Sequence, residues 1–143
     1  YESIKAVKED VVFGISPQGN IANDEAMGAD VETWAAVPGY VDYLAPQLYF
    51  SFENEALGYL EALEEWAALP QHEGLKLYAG LALYKVGTDA DGGTWLGRDD
   101  IIALQAEAAL EAGYQGVILY SSDYLDADQT AQSVEKAMAV FGK

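Results

Sequence analysis

The stretch Tyr43-Leu44-Ala45-Pro46-Gln47-Leu48-Tyr49-Phe50 decides the fold. It is a short apolar run bounded by turn residues, and it reads as a strand. Three more runs of this kind flank it: Val11–Ser16, Leu77–Lys85 and Gly116–Ser122. The four starting points lie 32, 34 and 39 residues apart. The intervening segments carry helical periodicity. Leu57, Leu60, Leu63 and Trp66-Ala67 form one such set; Ile101, Leu104-Gln105 and Ala108-Ala109 form another; Val134, Ala137-Met138 and Phe141 form a third. Asp30 suits the N-cap of a shorter helix that Pro38-Gly39 stops, and Asp99 or Asp100 suits the cap of the helix after the third strand. Tyr1–Lys8 reads as the tail of an earlier helix. Strands alternating with helices imply a parallel sheet with right-handed crossovers.

Parity within the runs separates two faces. One face carries Val11, Phe13, Ile15, Leu44, Leu48, Leu77, Leu81, Leu83, Val117 and Leu119, which suit packing under helices. The other carries Gly14 and Ser16; Ala45, Gln47 and Tyr49; Gly80, Ala82 and Tyr84; and Ile118, Tyr120 and Ser122. It starts small and becomes polar or aromatic at the C-terminal end. A doubly wound sheet would place bulky apolar residues on both faces. The asymmetry predicts a crowded barrel interior that opens into a pocket. The expected fold is therefore α/β: half of a (β/α)8 barrel, four sequential parallel strands with helices on one face.

The length, 143 residues, suits one domain and is short for a whole barrel of ~250 residues. Apolar residues make up 51% of the chain and charged residues 22%, a globular balance. Seven Lys and Arg stand against 24 Asp and Glu, giving a formal net charge of −17. That excess argues against nucleic acid and anionic membrane surfaces as partners. Cysteine is absent, which excludes disulfides, thiolate nucleophiles and Cys-ligated metals. No apolar run reaches the ~18 residues of a membrane span, and no signal peptide is visible. The chain opens Tyr1-Glu2-Ser3-Ile4 without Met and is expected to be a piece of something longer.

The strand motifs carry a family resemblance. Val12-Phe13-Gly14-Ile15-Ser16-Pro17, Val41-Asp42-Tyr43-Leu44-Ala45-Pro46-Gln47-Leu48-Tyr49, Leu77-Tyr78-Ala79-Gly80-Leu81-Ala82-Leu83-Tyr84-Lys85-Val86-Gly87 and Gly116-Val117-Ile118-Leu119-Tyr120-Ser121-Ser122 occur in that order. Together they resemble consecutive strands of the glycoside-hydrolase-like family 10 proteins. The resemblance implies that residues 1–143 are the C-terminal half of a (β/α)8 barrel, strands five to eight. It also implies a carbohydrate partner and an extracellular or cell-surface bacterial setting. Phe50 stands where the family often has an indole, and Gln18 where it often has Phe. The family's first half, with an Asp-x-Tyr-like strand suited to a nucleophile, has no counterpart in this chain.

Candidate chemistry gathers at the C-terminal strand ends, where barrel active sites lie. Gln47 has an amide that both donates and accepts, and Tyr49 offers an aromatic face, so the pair suits a sugar. The alternative is a packed amide beneath a plugging Tyr. Ser16, Tyr84, Tyr120, Ser122 and Asp123 end their strands and join the expected substrate-binding set. Trp95, in Asp91-Gly92-Gly93-Thr94-Trp95, suits either a stacking lid or a loop anchor. Lys85 points away from the pocket by parity, as a surface lysine would. Otherwise it binds an anionic group or pairs with a site carboxylate.

Glycoside hydrolysis needs two carboxyl groups flanking one bond. Glu53, Glu55, Asp89, Asp91 and Asp123 lie on the right face, with Glu53 and Glu55 the general-acid candidates. Their alternative role is to complement a helix N-terminus. The one histidine, His72, precedes a strand at the opposite end, so a Ser/His triad and a His-based metal site are not expected. No cofactor is expected. The final loop, Ser121–Asp128, is acidic and lacks glycine, which argues against a phosphate site.

Two functions are therefore expected. One is a glycoside hydrolase-like domain acting on or binding oligo- or polysaccharide, whose parent is an enzyme and whose isolated fragment lacks the nucleophile. The other is a non-catalytic carbohydrate-binding or structural half-barrel that self-associates through its open inner face or sheet edges.

Overall fold

A computed structural model describes residues 1–142. The strands are β1 (Gly14–Ile15), β2 (Tyr43–Leu44), β3 (Lys76–Ala82) and β4 (Gly116–Tyr120). The helices are α1 (Glu2–Val7), α2 (Ile21–Ala26), α3 (Val31–Ala36), α4 (Tyr59–Ala68), α5 (Ala90–Gly93), α6 (Ile101–Glu111) and α7 (Ala131–Phe141). All strand pairs are parallel and the sheet order is β1-β2-β3-β4. This is the expected sequential βα array, the arrangement of half a (β/α)8 barrel.

The regular ladders are shorter than the apolar runs. Pro17 and Pro46 thin the pairing at two of these endings: each lacks an N–H to donate, although its carbonyl still accepts from the next strand, Gln47 N to Pro17 O at 3.0 Å and Gly80 N to Pro46 O at 2.9 Å. The chain nevertheless stays in the sheet, because Gln47 bridges Gln18 on one side and Gly80 on the other. A Cβ at Gly80 would stand 2.8 Å from the Pro46 carbonyl oxygen, so only glycine permits this approach. The third run ends differently from its expected strand. Leu83–Lys85 winds into a 3-10 turn, which rotates the side chains out of strand parity.

Helix starts follow local chemistry. The Asp30 carboxylate accepts the Thr33 N–H at 3.1 Å and caps α3, as its position predicts. Asn20 caps α2 in the same way through Asn23 N, a short helix the periodicity did not show. Asp100 stands at the N-cap of α6, but its carboxylate pairs with Arg98 Nε at 3.0 Å and makes no capping bond to the helix. Gly113 ends α6 with φ 91°, a conformation that favours glycine.

The core lies between the sheet and the helices. Leu44, Leu48, Leu77, Leu81 and Leu83 are buried on one face against Tyr59, Leu63 and Trp66 of α4 and Ile101 and Ile102 of α6. The opposite face is open: Ile118 is 44% exposed and Tyr120 is 55% exposed. Buried polar groups stitch the layers together. Trp66 Nε1 donates to the Gly19 carbonyl at 3.0 Å, Tyr59 Oη to that of Gln105 at 2.8 Å, and Tyr114 Oη to that of Leu63 at 2.9 Å. Each satisfies a group that burial would otherwise strand.

Helix α1 is fastened at the N-terminal side of the strands by Asp42. That carboxylate accepts Tyr1 Oη at 2.9 Å and Phe13 N at 2.7 Å, and pairs with Lys5 Nζ at 2.8 Å. Burial opposes its charge, but these donors outweigh burial and hold its pKa below the usual carboxylate value. Asp42 is thus a structural anchor on the face where barrel conservation serves stability.

Candidate functional site

Three segments meet at the C-terminal ends of β1, β2 and β3. They are Gln18–Asn23, Gln47–Leu57 and the Lys85–Asp91 turn, and they enclose a cleft of about 360 Å³. Its wall is rich in carboxamides: Gln18, Asn20, Asn23, Gln47 and Asn54. Tyr49 and Phe50 add aromatic surface. A second hollow, also about 360 Å³, adjoins the first across Asn54, Ala56 and Asp91, and includes Glu53 and Glu55.

The fold places the wall through close backbone approach. A Cβ at Gly19 would collide with the Gln47 carbonyl oxygen and lie 2.7 Å from the Phe50 ring. Trp66, from α4, fastens the Gly19 carbonyl from below. Gln47 Nε2 donates to the Ser16 carbonyl at 3.1 Å, which orients the amide across the β1–β2 junction. Gln105 Nε2 donates to the Phe50 carbonyl at 2.8 Å and holds the next loop to α6.

The most heavily bonded group in the cleft is Asp91. Its Oδ1 faces Lys85 Nζ at 3.0 Å; its Oδ2 accepts Ser51 N at 3.1 Å and Trp95 Nε1 at 2.9 Å. Lys85 Nζ also donates to the Tyr49 carbonyl at 2.7 Å. Burial raises the cost of ionising Asp91, but the bonds from Trp95, Lys85 and Asn54 more than offset it, so the pKa is lowered. A carboxyl so held stays ionised and accepts hydrogen bonds, which does not suit a general acid. Asp24 shows the opposite balance. It is 4% exposed, burial raises its pKa, and Gln18 N is the partner of its Oδ1 at 3.1 Å. Its Oδ2 has no hydrogen-bond partner among the described residues.

Beside the cleft an aromatic cluster caps the inner sheet face. Tyr49 stacks on Tyr120 with centroids 5.6 Å apart, and Tyr84 meets both edge-on at 6.0 and 5.9 Å. Burial, with lesser repulsion from Tyr120 and Tyr84, pushes the Tyr49 phenol up to about 12. It remains a hydroxyl donor at neutral pH.

Of the residues expected from sequence, Gln47 and Tyr49 line the cleft and Glu53 and Glu55 line its neighbour. Glu53 faces Arg98 at 3.4 Å, and Glu55 is exposed. Tyr84 and Tyr120 belong to the aromatic cluster, and Ser16 contributes its carbonyl. Ser122 and Asp123 are exposed on a 3-10 turn after β4 and do not join the cleft wall. Trp95 is 0% exposed and bonded to Asp91, so it anchors its loop and presents no ring face for stacking. Lys85 corrects the parity expectation: the 3-10 turn swings it into the cleft, where it pairs with a carboxylate. Among the described residues no cluster of three His, Cys, Asp or Glu could hold a metal ion, and no helix is long and apolar enough to cross a membrane.

Known proteins resemble this chain in sequence. A family model described as glycosyl hydrolase-like 10 matches residues 1–95. The glycosyl hydrolase DigH of Escherichia coli K12 is 30% identical over 158 residues, covering 98% of this chain and 36% of DigH. DigH of Shigella flexneri matches to the same extent. The glycosyl hydrolase YngK of Bacillus subtilis is 33% identical over 106 residues, covering 63% of this chain and 21% of YngK. The chain thus spans about a third of the length of the DigH relatives, and its match covers about a fifth of YngK. The matched segment includes the first three strands and the walls of the cleft, and on that ground the chain belongs to the glycosyl hydrolase-like 10 family.

Proposed function

We propose that this chain binds oligo- or polysaccharide in the cleft at the C-terminal ends of β1–β3, as the C-terminal half, strands five to eight, of a glycoside hydrolase-like barrel. The observation that carries the reading is the composition of the wall: five carboxamides beside the faces of Tyr49 and Phe50. Carboxamides both donate to and accept from hydroxyls, and aromatic faces cover the apolar face of a pyranose. Family membership supports it, since the relatives carry the name glycosyl hydrolase. The same reading sets its work outside the bacterial cell or at its surface, where such polymers occur. Glu53 and Glu55 are the proposed general-acid candidates, since both line the hollow adjoining the cleft.

Gln47→Leu tests the binding surface. Titration calorimetry with cellotetraose, xylotetraose and chitotetraose identifies a binder for the unaltered chain. The variant is expected to bind that sugar about tenfold more weakly, because a sugar hydroxyl loses its partner on entering the cleft. Equal affinity would remove Gln47 from the site.

A second reading, self-association, is favoured by the open inner face. Ile118 and Tyr120 are exposed there, and β1 and β4 each leave one edge unpaired. Two copies joined β4 to β1 on each side would close an eight-stranded barrel. Light scattering at micromolar concentration is expected to show a mass above 15.4 kDa. A single monomeric species would count against this second reading alone.

A further inference from the structure

A lysine on a protein surface normally extends its head into water. Lys85 does the opposite: its side chain is 17% exposed and its ammonium is drawn to the cleft wall. Of its three donors, one goes to the Tyr49 carbonyl at 2.7 Å and one to Asp91 Oδ1 at 3.0 Å, and the ammonium also lies 5.8 Å from the centre of the Trp95 ring. Asp91 is itself fixed by Ser51 N and Trp95 Nε1. Its backbone sits at φ 50°, an uncommon conformation for a residue other than glycine. Such a conformation persists where surrounding bonds over-determine it, and it concentrates at ligand sites. Gln18 and Gln47 stand on the same wall.

We propose that Lys85 contacts the ligand, giving its third N–H to a hydroxyl or glycosidic oxygen of the bound oligosaccharide. Asp91 is a positioning residue that acts through Lys85. This deepens the carbohydrate-binding reading and rests on it. The ion pair fixes the ammonium before the ligand arrives, so ligand binding does not have to order a flexible side chain.

The test is a double-mutant cycle of Lys85→Met and Asp91→Asn, titrated with whichever of the three tetrasaccharides the unaltered chain binds. Lys85→Met is expected to weaken binding about tenfold or more, because a hydrogen bond from a charged group is lost. Asp91→Asn is expected to weaken it too, and the double variant to bind no worse than Lys85→Met alone. Unchanged affinity in Lys85→Met would overturn the contact, and fully additive losses would overturn the action of Asp91 through Lys85. Should Lys85→Met fail to fold, the Lys85 ammonium resonance of the unaltered chain replaces it. That resonance is expected to shift on addition of the sugar, and an unmoved resonance would overturn the proposal. If the unaltered chain binds none of the three sugars, the carbohydrate-binding reading fails and this proposal with it. Binding that survives Lys85→Met unweakened sinks this proposal alone.

Discussion

Trp66→Ala is expected to lower the unfolding free energy by about 3–5 kcal/mol. Trp66 is 1% exposed and lies in the core between α4 and the sheet. Truncation leaves a cavity that the close-packed surroundings only partly fill. It also strands the buried Gly19 carbonyl, which now accepts the indole N–H. A loss of this size is a large share of the ~5–15 kcal/mol that holds a typical domain together. Trp66→Phe separates the two effects, since it keeps most of the volume and loses only the hydrogen bond, at a cost of about 1–3 kcal/mol. The consequence reaches the site, because Gly19 forms part of the cleft wall. Urea denaturation measures both variants. A cost below about 1 kcal/mol for Trp66→Ala would show that α4 is not packed as described.

These 143 residues alone are expected to show no measurable glycosidase turnover. The reaction needs an acid and a nucleophile or base on opposite sides of one bond. The inward strand positions carry Gly80, Ala82, Ile118 and Tyr120, and none is a carboxylate. Asp91, the one carboxylate fixed in the cleft, is held ionised by Lys85 and Trp95 and has no proton to give. Glu53 faces Arg98, and Glu55 is exposed to solvent. One group of a cooperating pair, acting without the other, typically loses orders of magnitude in rate. Assays on aryl glycosides and on polysaccharides check this expectation. Turnover that Glu53→Gln or Glu55→Gln abolishes would show that the catalytic pair lies within this chain.

The sheet was legible because its signals are local and repeated. Leu44, Leu48, Leu77 and Leu81 alternate with small or polar residues, and that alternation fixes which face meets the helices. Sequential order and parallel direction then follow from alternating strands and helices. Strand lengths were less legible, since a run such as Tyr43–Phe50 is apolar throughout while its regular pairing is confined to Tyr43–Leu44. For Lys85 the sequence leaves two readings open, a surface lysine by parity or a partner for a site carboxylate, and the second is the one found, because parity holds only while the chain stays extended. The 3-10 turn at Leu83–Lys85 breaks that condition, and no residue in it announces the turn.

Within the site, Gln47 and Tyr49 could be read from their place at a strand end, but their partners could not. Asp91 bonds Ser51, 40 positions earlier, and Lys85 bonds the Tyr49 carbonyl, 36 positions earlier. Such bonds depend on how the loops fold over one another, which a linear pattern does not encode. One cue was available for Asp91: an Asp that opens a Gly-Gly stretch suits a left-handed backbone. Trp95 was ambiguous for the same reason. A tryptophan in a glycine-rich loop serves equally as lid or anchor until its burial is known.

The cleft walled by Gln18, Gln47, Tyr49 and Lys85 is the proposed carbohydrate site of this chain. The most direct measurement is a backbone and side-chain amide NMR titration of the chain with cellotetraose, xylotetraose and chitotetraose in turn. At least one sugar is expected to shift the resonances of Gln18, Gly19, Gln47, Tyr49 and Asn54 together, with α7 unmoved. No shift with any of the three, or shifts confined to residues away from the cleft, would contradict it.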